Sequence, residues 1–148
     1  MWLQTVAAFW LALHASLPAV VLATRVAGGI SVSGRDVSFV ASIRSVDPAV
    51  TGKSCTGALV HERLVLTTAN CLVAGDLSWF DPRHVSVSLG AHAYNVSQAL
   101  MPDEYISAMH RHNIGLFVLA TAVPSSIAAP VEMLAAGPAP GTPVFAIG

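Results

Sequence analysis

From residue 39 to residue 119 the sequence repeats one texture: short runs rich in β-branched and apolar residues, each ended by turn formers, with no stretch that keeps a helical period. Such a chain cannot bury its apolar positions as helix stripes and must bring them together as strands. Six runs stand out: Phe39 to Arg44, Cys55 to Val60, Arg63 to Thr67, His84 to Leu89, Gln98 to Leu100 and Ile114 to Leu119. Six short strands predict an all-β fold, a small closed antiparallel barrel. His61-Glu62 predicts a tight hairpin connection, and Asp81-Pro82-Arg83 and Gly90-Ala91-His92 predict turns. From Val123 to Pro143 the chain is rich in Pro, Ala and Gly, which suits an extended connecting arm better than a packed element.

The N-terminus has a different character. No charged side chain occurs from Met1 to Ala23, and apolar runs span Val6 to Leu13 and Pro18 to Leu22. This predicts a secretory signal peptide over residues 1–23, cut after Ala23, where Val21 and Ala23 are the small residues such a cut needs. An uncleaved anchor would need about 20 consecutive apolar residues, and Gln4, Thr5, His14, Ser16 and Pro18 interrupt the run. The mature chain is therefore expected outside the cell and off the membrane.

At 54% hydrophobic, 10% charged and a net charge of −1, the 148 residues are neither a disordered tail nor a nucleic-acid binder. Cys55 and Cys71 both fall in the exported part, where an oxidising compartment favours a disulfide. That bond would close a loop of about 15 residues and contribute about 3 kcal/mol. Asn95-Val96-Ser97 is an N-glycosylation sequon. His110 and His112 flank Arg111, and at strand spacing their imidazoles would share a face as metal ligands can. The cation between them, with no carboxylate or thiol nearby, argues against a site. No metal or cofactor is expected. His61, His84 and His92 fall at predicted turns and are expected to face solvent, and Trp79 and Phe80 are expected to pack.

Three patterns, in order, carry a resemblance. Arg25 is followed by Val26-Ala27-Gly28-Gly29; Cys55-Thr56-Gly57-Ala58-Leu59-Val60 precedes Leu64-Val65-Leu66-Thr67-Thr68-Ala69-Asn70-Cys71; and Asn113-Ile114-Gly115-Leu116-Phe117-Val118-Leu119 closes the series. Together they resemble the trypsin-like, chymotrypsin-fold serine proteases. The resemblance implies residues 24–25 as a short pro-segment or linker and residues 26–122 as the first, six-stranded barrel of that family's two. Residues 123–148 would be the connecting arm, with Val144-Phe145-Ala146-Ile147-Gly148 as the strand that opens a second barrel the chain does not reach. The nucleophilic serine, the oxyanion hole and the specificity pocket would all belong to that second barrel.

A serine protease needs an imidazole to take the nucleophile's proton and a carboxylate to orient it. By resemblance, Asn70 stands at the position of the base and Asn113 at that of the carboxylate. A carboxamide does not titrate near neutral pH, so neither residue can do that work. The chain is thus expected to be a non-catalytic homologue, with Arg25-Val26 an inherited processing sequence. Its expected role is protein binding or inhibition through the flank that would meet the second barrel. Among catalytically dead members of the family, it is similar to the secreted glucanase inhibitor proteins of oomycete plant pathogens, which bind host endoglucanases. The other reading is a piece of an endopeptidase, decayed or dependent on a missing half.

Overall fold

A computed structural model describes residues 37–46, 54–73 and 81–147. The expected signal peptide over residues 1–23, the processing residues Ala23, Arg25 and Val26, and the aromatic pair Trp79 and Phe80 lie outside the described residues. The chain forms six antiparallel strands: β1 (Val40–Ser45), β2 (Ser54–His61), β3 (Leu64–Thr67), β4 (Val85–Leu89), β5 (His92–Leu100) and β6 (Gly115–Leu119). They close into a barrel in the order β1-β2-β3-β6-β5-β4, the all-β architecture that the sequence predicts.

The interior follows from strand alternation. Val85, Val87 and Leu89 of β4 are buried while Ser86 and Ser88 sit on the other face, and Gly115, Phe117 and Leu119 of β6 repeat the pattern. Phe117, Leu59, Leu89, Leu119, Val65 and Val87 are fully buried. Each such side chain contributes about 1.5–3 kcal/mol relative to exposure. Among the described residues, Thr67 is a buried polar side chain: it turns inward on β3 and its Oγ1 donates to the Thr56 carbonyl at 3.0 Å, so the hydroxyl is buried without loss of a partner.

Most strand boundaries fall within a residue or two of expectation, but β5 begins at His92 instead of Gln98. Gly90 alone takes the left-handed conformation of the β4–β5 turn, with φ +58°, which frees His92 to start pairing with Leu89. A bulge between Val96 and Gln98 then shifts the register against β6. Before β4, Asp81 caps the short 3₁₀ turn Pro82–His84 by accepting from the Arg83 amide. The Arg83 guanidinium hydrogen-bonds the same carboxylate and holds its pKa down to about 2.

The region after β6 corrects the expectation of an extended arm in its first part. Val123 and Ala128 are buried in the core and Ile127 packs against it. The backbone N–H of Val123 donates to the Glu62 carbonyl and that of Val131 to the Leu59 carbonyl, both at 2.8 Å. A segment of small and imino residues can thus pack on the barrel wall through backbone bonds and a few apolar side chains. Residues 144–147 form no strand, and Val144 and Phe145 stay exposed; an extended segment without a neighbour has no ladder to join.

Candidate functional site

The end of β3 and the start of β6 are brought level by the pairing of Thr67 with Gly115. Beyond Thr67 the chain passes through Thr68, extended, into the 3₁₀ turn Ala69–Cys71, closed by the Cys71 amide on the Thr68 carbonyl at 2.9 Å. Cys71 is bonded to Cys55 of β2, as the sequence leads one to expect, which ties the turn to the barrel wall. Leu72, fully buried, anchors it from the other side by packing on Gly115. A Cβ at Gly115 would lie 2.7 Å from a Leu72 methyl and 3.3 Å from the Ala69 Cα, so a side chain there would displace Leu72 and crowd the turn against β6.

The consequence is that Asn70 and Asn113, 43 residues apart in sequence, meet. The Asn70 backbone N–H donates to Asn113 Oδ1 at 2.9 Å. Because the donor is an amide, the carbonyl end of the Asn113 side chain must face it. Thr68 Oγ1, which sequence reasoning did not single out, donates to Asn70 Oδ1 and lies 3.1 Å from Cys71 Sγ. Its signal was weak: a threonine before a turn is ordinary. Both Asn side chains are neutral carboxamides that position backbone and hydroxyl groups but exchange no proton near neutral pH.

Asn113→Ala is expected to lower stability by about 1 kcal/mol, the worth of an intramolecular hydrogen bond, whereas Asn113→Asp keeps the acceptor and should equal or exceed the wild type at neutral pH. Urea unfolding of the two variants checks this. Equal loss in both would show that the bond to the Asn70 amide contributes nothing.

The other candidate residues are scattered. Asn95 is on the outer face of β5, near the opposite end of β6, where Val96 pairs with Leu119. His61, His84 and His92 are exposed, as expected of residues at or beside turns. His110 and His112 do not lie on a strand: both adopt left-handed backbone, φ 50° and 54°, in the loop between β5 and β6 where Ile106 bridges Arg111. The shared face that strand spacing would give them does not form. Among the described residues, no group of three His, Cys, Asp or Glu gathers. A shallow cleft of about 450 Å³, lined by His61, Glu62, Ala122, Val123, Pro124, Ser125 and Pro130, lies at the far end of the barrel from Asn70.

No described helix is long and apolar enough to cross a membrane. No curated protein matches the chain. The sequence model of one family, Trypsin, matches residues 26–148. A match over most of the chain, on a closed six-stranded barrel with the Cys55–Cys71 bond beside the Asn70 turn, shows that the chain belongs to the trypsin family.

Proposed function

We propose that this chain is a non-catalytic member of the trypsin family that works outside the cell by binding a protein, in the manner of an inhibitor. One observation carries the reading: the Asn70 amide on Asn113 Oδ1 at 2.9 Å joins the two positions that the family resemblance assigns to base and carboxylate, and both hold carboxamides. The disulfide is in keeping with an oxidising compartment. Binding is supported by what surrounds Asn113. Ile106, Met109 and Ile114 are exposed by 44%, 68% and 51% in the loop that leads into β6, a concentration of apolar surface at the end of the barrel where the carboxamides meet.

Two measurements test the two halves of the proposal. The purified protein should hydrolyse peptide amide substrates no faster than buffer; turnover that a serine-directed fluorophosphonate abolishes would overturn the non-catalytic reading. Immobilised protein should bind a secreted hydrolase, with endo-β-glucanase the first partner to try. Met109→Asp and Ile114→Asp should each weaken that binding about tenfold, or about 1.4 kcal/mol. Failure of a panel of secreted hydrolases to bind would remove the inhibitor role and leave the first result standing.

A further inference from the structure

The sequon is the one chemical motif that the proposed function leaves unused, and the fold presents it in an unusual setting, within a strand. Asn95 and Ser97 are two residues apart on β5, so they point to the same side, and both are exposed while Val96 between them is buried in the core. The Asn95 main chain is held in the barrel: the residue lies opposite Ser86 of β4, and its carbonyl accepts from the Ala120 amide at 2.9 Å. Its carboxamide is directed to solvent. Around it the outer face is made of short side chains, Ser86 and Ser88 on β4 and Ala93 on β5, with Arg44 of β1 beyond Ser86. Among the described residues, the β4 side of Asn95 is therefore lined by short side chains that leave its carboxamide accessible.

We propose that Asn95 accepts an N-linked oligosaccharide once the chain enters the secretory pathway, and that the glycan covers the β4–β5 wall while leaving the Asn70–Asn113 end bare. In the transfer, the Asn95 amide nitrogen attacks the anomeric carbon of a lipid-pyrophosphate-linked oligosaccharide. The new N–C bond forms as the C–O bond to pyrophosphate breaks, the nitrogen loses one proton and the lipid pyrophosphate leaves. The folded barrel opposes this step, because Ser97 Oγ already donates to the Val118 carbonyl at 3.0 Å and Val96 is locked inward. Attachment therefore precedes closure of β5 against β6. The placement also keeps the two surfaces apart: Asn95 lies by the Leu119 end of β6 and Asn113 before its Gly115 end. The strand between them is roughly 13 Å long at about 3.3 Å per residue.

The inference rests on the export part of the proposed function, so the test separates the two. The full chain is translated in vitro with microsomes, once with its own N-terminus and once with residues 1–23 replaced by a known cleavable signal. Protease protection reports entry, and a discrete mobility step that an Asn-glycan amidase reverses, leaving aspartate at position 95 by mass spectrometry, reports the glycan. The step should vanish in Asn95→Gln and Ser97→Ala and persist in Ser97→Thr. Protected chain without the step overturns the acceptor site and leaves export untouched. A step seen only behind the borrowed signal supports the acceptor site and overturns export by the native N-terminus. A reducing agent that delays formation of the Cys55–Cys71 bond should raise occupancy; lower occupancy would overturn the order of attachment before closure.

Discussion

Phe117→Ala is expected to cost about 3–5 kcal/mol, the usual range for removing a buried aromatic ring. Phe117 is the largest fully buried side chain among the described residues and stands on β6, paired with Val65 of β3 on one side and Ala99 of β5 on the other. The interior it fills is lined by small and medium side chains, Ala41, Val65, Val87 and Leu59 among them. The closed strand order limits how far the wall can move in on the space a ring leaves, so much of the cavity cost is expected to remain. Since small domains are stable by only about 5–15 kcal/mol, a loss of this size removes a large part of the total. Urea unfolding measures it as a lower midpoint at unchanged slope. A loss under about 1 kcal/mol would show that the barrel collapses onto the vacancy and that its packing is far softer than the burial pattern implies.

The second large effect is expected from Cys55→Ser combined with Cys71→Ser. The bond closes a loop with a sequence separation of 16, for which chain entropy gives about 3 kcal/mol. For a domain of about 100 residues that corresponds to a fall of roughly 12–24 °C in Tm. The consequence is also local. Cys71 ends the turn that presents the Asn70 amide to Asn113, so hydrogen exchange at Asn70 should quicken by more than the global loss accounts for. If exchange there tracks global unfolding instead, Leu72 on Gly115 holds the turn without the disulfide.

How much of this was legible in the residues depends on which force shaped each part. β4 was visible because inward Val85, Val87 and Leu89 alternate with serines, whereas β3 and β6 were visible as short, nearly continuous apolar runs, with Leu64, Leu66, Leu116 and Val118 on the outer face. The first half of β5 was not. His92, Ala93, Asn95 and Ser97 are exposed and only Val96 is deeply buried, so the segment reads as polar loop until its neighbours are in place. Packing of Val123 and Ala128 was hidden by their Pro- and Ala-rich surroundings, because backbone bonds to Glu62 and Leu59 leave no side-chain signature. The His110 and His112 backbone could not be foreseen, since left-handed φ is uncommon for histidine and nothing in the local sequence calls for it in this loop. Asn70 and Asn113 could be paired only through resemblance: nothing in a separation of 43 residues says that two side chains meet.

The circular strand order has a consequence for any partner. In β1-β2-β3-β6-β5-β4 every strand already has a neighbour on each side, so the barrel offers no row of unpaired main-chain donors and acceptors. A peptide that binds by adding itself as a further strand finds no free edge among these six strands. A protein that binds the barrel wall as the proposed function requires would have to be held by side chains, where single substitutions can redirect it.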